Sequence, residues 1–161
     1  MIRRCTSADL PAMVEIVNDA AEAYRGAIPA DCWHEPYMPR DELEAEIAAG
    51  VDFWGREDAG QLVGVMGVQD VRDATLIRHA YVRTDRQGAG VGGELLDSLV
   101  ARAERRLLVG TWAAAHWAVR FYEKHGFRLV TPAEKDRLLD TYWTIPARQR
   151  DTSVVLERSR R

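Results

Sequence analysis

The sequence predicts an α/β protein of the α+β type, built on one mixed, mostly antiparallel central sheet with helices on both faces. Three observations lead there. Strand-like stretches at 53–57 and 61–69 are joined by Asp58-Ala59-Gly60, a composition that turns a chain back on itself as a hairpin. Further along, segments follow in the order strand, helix, strand, helix, strand, which adds crossovers to the hairpins and makes the sheet mixed. The intervening segments carry apolar residues at helical spacing, so each helix has one face to bury.

In chain order, Ile2 to Cys5 is the first strand, and Thr6 and Ser7 offer N-cap hydroxyls to a helix striped by Leu10, Met13, Val14, Val17, Ala21 and Tyr24. Arg25 to Arg40 contains Pro29, Pro36 and Pro39 beside Trp33, His34 and Tyr37. Proline resists regular structure, yet so many rings do not suit a linker, so this loop is expected to fold over something. Asp41 to Ala49 is helical and stops at Gly50, the hairpin follows, and Thr75 to Val82 is a further strand. From Gly93, Leu95, Leu96, Leu99, Val100 and Ala103 have helical spacing; Leu107 to Trp112 is a buried strand, and Ala115 to His125 a helix ended by Gly126. Phe127 to Val130 and Val154 to Glu157 complete the sheet, and Asp140 to Pro146 is a second aromatic, proline-limited segment, read as a cover for a site, a subunit contact in a homodimer, or simple packing.

At 161 residues the chain fits a single domain spanning 1–161 that needs neither disulfides nor a structural metal. No apolar run approaches the roughly 20 residues of a membrane helix, and Met1 to Thr6 lacks the apolar stretch of a signal peptide, so a cytoplasmic location and no membrane partner are expected. Cys5 and Cys32 are far apart and belong to no Cys/His cluster. The net charge of -3 and a basic cluster confined to Arg158-Ser159-Arg160-Arg161 argue against nucleic acid as a partner. His34-Glu35-Pro36-Tyr37-Met38 begins like a zinc-protease HExxH but has Met38 for the second histidine and a helix-hostile proline, so no metal is expected.

The chemistry points to Gln87-Gly88-Ala89-Gly90-Val91-Gly92-Gly93. Small residues let the backbone approach a ligand and turn its N–H groups inward, and the following helix adds unpaired first-turn amides and the positive end of its dipole. An anion suits such a place, with Arg83 and Arg86 nearby to add charge. A P-loop fails because no Gly-Lys-Ser/Thr follows. A dinucleotide fingerprint is matched as GxGxxG, but five residues separate Val82 from Gly88 and Leu107 to Trp112 offers no acid for a ribose. The plainest alternative is a tight turn beside core aromatics, which explains neither spacing.

Read as Q/R-x-x-G-x-G, Gln87 to Gly92 resembles the coenzyme loop of the GNAT superfamily of acyl-CoA N-acyltransferases, and Ala118-Val119-Arg120-Phe121-Tyr122-Glu123-Lys124-His125-Gly126-Phe127 resembles its A-x-x-F-Y-x-K-x-G-F signature. The resemblance is sharp from about Leu76 to Leu129. It implies a GNAT-like fold and acetyl-CoA as co-substrate, the acetyl group passing directly to a primary amine of a small molecule or peptide in a ternary complex. Tyr81, Val82 and Arg83 are then expected to splay from the neighbouring strand and pair with the pantetheine arm, and Gln87 to Gly93, together with Phe121, to line the coenzyme site. Tyr122 is the implied general acid to the departing thiolate. The segment after the first helix places Tyr24, Trp33, His34, Glu35 and Tyr37 near the acceptor; Arg78 is a further candidate contact, for an acceptor carboxylate.

Two family positions are filled differently. Ala115 stands where an asparagine is common, and Leu76 and Arg78 occupy the strand positions where many members carry a carboxylate or histidine as base. Strand alternation gives His79 the opposite parity and a packing role unless a bulge shifts it, leaving His34, Glu35 or a water chain as base candidates. A catalytically silent acyl-CoA sensor is therefore the competing reading.

Overall fold

Short, turn-punctuated strands at the start of the chain pair with their neighbours, as hairpin sequence demands. In the computed structural model, which describes residues 1–159, β1 (Ile2–Arg4), β2 (Asp52–Asp58), β3 (Gln61–Val71) and β4 (Ala74–Val82) form an antiparallel run. β5 (Arg106–Trp112) joins β4 in parallel, and the two-residue β6 (Arg128–Leu129) and β7 (Ser153–Arg158) complete a sheet of order β1-β2-β3-β4-β5-β7-β6. The expected mixed, mostly antiparallel sheet is the one observed. Of the C-terminal basic cluster, Arg160 and Arg161 lie outside the described residues.

Strand alternation divides the core. Ile77 points toward α3 (Val91–Arg102) and α4 (His116–Lys124), where Leu95, Leu96, Leu99, Tyr122 and Phe127 close one layer. Leu76 points the other way, with Leu108 and Val155, against Leu138 and Leu139 of α5 (Pro132–Tyr142). Beside α5, α1 (Leu10–Ala21) and α2 (Arg40–Ala48) bury Met13, Ile16, Val17 and Leu43 on Phe53 and Val65. No helix among the described residues is long and apolar enough to cross a membrane.

Several bounds differ from the sequence reading. Thr6 to Asp9 form a capping box, with Asp9 Oδ2 accepting from the Thr6 amide at 2.7 Å, so a 3-10 turn precedes α1. Tyr24 lies beyond the end of α1 in another 3-10 turn. α3 starts at Val91, two residues before Gly93, because Gly90 at φ +84 supplies the left-handed residue that redirects the chain. The segment 131–151, to which the sequence reading assigns no helix or strand, holds α5 and a short α6 (Ala147–Asp151). Its signal was present in the sequence: Thr131 caps α5 by accepting from the Glu134 amide at 3.2 Å, and Pro132 takes the first turn, where its missing N–H costs nothing.

Two irregularities set up the site. Met66 of β3 lies between the pairs Val65↔Tyr81 and Gly67↔Arg78, so His79 and Ala80 together oppose one residue: a bulge, with His79 at φ +54. Gly64, also on β3, lets α3 approach the sheet, since a Cβ there would lie 2.8 Å from Val91 Cγ1 and 3.3 Å from Leu95 Cδ1. Gly64→Ala is expected to push α3 off the sheet and cost about 1–3 kcal/mol, read as a lower midpoint in urea.

Candidate active site

β4 and β5 pair only from Ala74↔Arg106 to Ile77↔Val109, although β4 continues to Val82 and β5 to Trp112. Beyond Ile77 the bulge bends β4 away, and the parted strands leave a cleft. The Arg83 amide donates to the Val63 carbonyl at 2.9 Å on the β3 side, so alternation turns the Val82 N–H toward the cleft. Arg83 itself is committed elsewhere, its guanidinium donating to the Leu62 carbonyl and to Glu15.

One end of the cleft opens onto the glycine loop. Gly88 and Gly90 both have φ +84, a conformation side chains disfavour, and a Cβ on either would meet nothing within 4 Å, so the loop has a bare, open face. Val91, Gly92 and Gly93 form the first turn of α3, whose amides have no carbonyl one turn earlier to bond. Gln87, Gly88, Gly90, Gly92 and Phe121 line a groove of about 590 Å³ there. A diphosphate fits this donor set: amides and a helix dipole, with no side chain filling the space. Arg86 is tied to Asp58 at 2.7 Å. Ala89 belongs to the loop without lining that groove.

From the loop, a second groove of about 580 Å³ runs past Ala20, Ala23, Val82, Trp117, Ala118 and Phe121 to Tyr122. Its mostly apolar lining of small residues and aromatic rings suits a slender chain with few charges. Trp117 is 42% exposed on this groove and packs on Tyr24 with centroids 5.3 Å apart. Beyond Tyr122 a third cavity opens, walled by Tyr37, Arg78, His79, Thr111, Trp112, Trp143, Ile145, Gln149 and Ser153. Tyr24, Ala80, Tyr81 and Tyr122 line both spaces and mark where they meet.

Tyr122 is held edge-on between Phe121 and Phe127, at 5.1 and 5.5 Å. Burial, with a smaller effect from Tyr24, pushes its phenol far above the ordinary tyrosine value. Burial likewise raises Tyr24 to about 12 and lifts Tyr81 strongly. All three are therefore O–H donors at neutral pH. Tyr122 lines both spaces where they meet, which puts its hydroxyl proton within reach of a ligand there.

The bulge also changes what faces the third cavity. Arg78 and His79 both reach Glu46 of α2, at 2.9 and 2.8 Å. His79 lies stacked between Phe53 and Tyr81, at 6.1 and 6.4 Å. Burial works against the charge of Glu46, but the hydrogen bond from His79 and the charges of His79 and Arg78 outweigh it and hold the carboxyl below its usual range. Arg78 spends its other donor on Gln69 at 3.0 Å. Of the residues expected near an acceptor, Tyr24, Tyr37 and Arg78 line the cavity, while Trp33, His34 and Glu35 do not. Glu35 accepts from Trp33 and Arg25, and His34 Nδ1 is 2.9 Å from the Pro36 carbonyl, so these three brace their own exposed loop.

Sequence reasoning passed over Glu46, Trp117, Leu139, Gln149 and Ser153, whereas Trp143 and Ile145 lie in the segment Asp140 to Pro146 that it singled out. Glu46 follows the buried Leu43 by three positions and so faces inward with it, the one trace it leaves in the sequence.

Comparisons with known proteins bear on the family and the fold. The "Acetyltransferase (GNAT) domain" family model matches residues 17–140. An Escherichia coli (strain K12) protein named L-amino acid N-acyltransferase MnaT is 32% identical over 111 residues, a match spanning 63% of this chain and 62% of that protein's length. The fold is shared with PaiA N-acetyltransferase from Thermoplasma acidophilum, solved in complex with coenzyme A (TM-score 0.74, 16% identity, 99% of this chain and 98% of that one). It is also shared with the ribosomal-protein-S18-alanine N-acetyltransferase from Escherichia coli (TM-score 0.70, 18% identity, 99% and 92%). A family match over most of the chain decides membership: the protein belongs to the GNAT family of acetyltransferases.

Proposed function

We propose that the protein is an acyl-CoA-dependent N-acyltransferase that moves an acetyl group from acetyl-CoA to the primary amine of a small molecule or peptide, without a covalent enzyme intermediate. The observation that carries this reading is the meeting of two spaces at Tyr122: an open amide cradle with an apolar groove on one side, and a cavity with polar and aromatic walls on the other.

In this reading Gln87, Gly88, Gly90, Val91, Gly92 and Gly93 grip the diphosphate, and Tyr81, Val82 and Phe121 border the pantetheine arm. The Val82 N–H holds the thioester oxygen, where negative charge grows as the amine attacks. Tyr122 donates its hydroxyl proton to the departing sulfur. Tyr24, Tyr37 and Arg78 border the acceptor, and an amino acid is the acceptor that the named relative suggests. His79 is the base: in its neutral form it takes the amine's proton, directly or through one water, while Glu46 orients the ring and steadies the imidazolium.

Tyr122→Phe is expected to lower kcat roughly 100-fold while the affinity for acetyl-CoA stays within about twofold, measured by thiol release and by calorimetric titration. An unchanged rate removes the phenol from the mechanism. For the base, His79→Gln should remove about 99% of kcat/KM for the amine while the affinity for acetyl-CoA stays within about twofold. A variant rate close to that of the wild type removes His79 from the mechanism.

The second reading, a silent acyl-CoA sensor, draws on Leu76 and Arg78: one is fully buried and the other a paired cation, at positions where a base is common. Acetyl-CoA at a hundredfold excess over its Kd should raise Tm by roughly 5–10 °C under either reading. Thiol release with a panel of amino acids and peptide N-termini separates them; stabilisation without turnover across the panel supports the sensor.

A further inference from the structure

Gly93 has a neighbour that the coenzyme reading leaves unused. A Cβ at Gly93 would lie 3.2 Å from Cε1 and 3.3 Å from Nε2 of His125, so the missing side chain is what allows the imidazole to rest on the first turn of α3. The ring is fixed from two further directions. Its Nδ1 is 2.9 Å from Asp97 Oδ1, and Phe121 packs on it with centroids 4.9 Å apart. A carboxylate only accepts, so Nδ1 carries the hydrogen and Nε2 remains for the groove that His125 lines with Gln87, Gly88, Gly90 and Gly92.

That arrangement gives the ring two behaviours. Neutral, with its hydrogen on Nδ1, His125 presents a lone pair from Nε2 and repels a phosphate oxygen; protonated, it presents an N–H and a positive charge. We propose that His125 is a proton-linked contact for the coenzyme's diphosphate, binding one proton as the coenzyme binds. This rests on the coenzyme reading above and adds a residue and a pH dependence to it.

The charged groups around the ring are Asp97 and Glu94 of α3, Lys124 of α4, Arg86 of the loop, and Arg158 of β7, whose Nη1 donates to the His125 carbonyl at 3.4 Å. Glu94 is engaged by Arg56 at 2.8 Å and Arg86 by Asp58. Carboxylates, lysines and arginines ordinarily change charge outside the range of roughly pH 6 to 8, in which imidazole does.

The test is calorimetric titration with 3′-dephospho-CoA from about pH 6 to 8. This probe keeps the diphosphate but lacks the 3′-phosphate, whose second ionisation near pH 6 would confuse the result. Wild-type protein is expected to bind about tenfold more tightly at the acid end. His125→Gln should bind with the weaker affinity throughout, and Asp97→Asn should move the rise to lower pH. A tight but flat wild-type profile, or a slope retained by His125→Gln, overturns the proton linkage alone. Absence of binding at every pH overturns the coenzyme reading and the linkage with it.

Discussion

The extra residue in β4 is the constraint on which the site depends. A regular strand would continue its ladder with β5 to the end of β5 at Trp112 and leave no room between them. With His79 and Ala80 both facing Met66, the strand bends and its far half comes free of β5. A left-handed histidine costs on the order of 1–3 kcal/mol and persists only where its surroundings over-determine it. Here the ring is stacked between Phe53 and Tyr81 and bonded to Glu46, so α2 holds the strained residue in place. The cost is met by contacts that also bring an imidazole to the cavity wall.

Small residues do the complementary work on the other side of the cleft. Gly64 lowers α3 onto the sheet, Gly90 redirects the chain into it, and Gly93 admits the His125 ring over its first turn. The coenzyme end is thus defined by where side chains are missing. The far end is defined by where they crowd, with Tyr37, Trp112 and Trp143 around Arg78 and His79.

Local spacing carried part of this in the sequence. Gln87 to Gly92 and Phe121-Tyr122 were legible because a nest and a helix face each need particular residue types at short, fixed intervals. The sheet class was legible from turn chemistry and apolar period. A bulge leaves no such mark: alternation sets His79 opposite in parity to Leu76 and Arg78, and the inserted position puts it on the cavity wall while keeping it packed between Phe53 and Tyr81. Glu46 meets its partners across more than thirty residues of chain, a distance no periodicity encodes. α5 was signalled by Thr131-Pro132-Ala133-Glu134, and the aromatics at its end left a cover, a subunit contact and simple packing open; Trp143 and Ile145 line the cavity. Trp33, His34 and Glu35 sit in a loop whose rings turned out to brace one another.

The two ends of the cleft are encoded by separate stretches of chain. The cradle and groove draw mainly on residues 80–125, whereas much of the opposite wall comes from Leu139, Trp143, Ile145, Gln149 and Ser153. Drift in that C-terminal stretch can retune which amine is admitted without disturbing the donor's seat. A gene carrying this layout is able to change clients while keeping its currency.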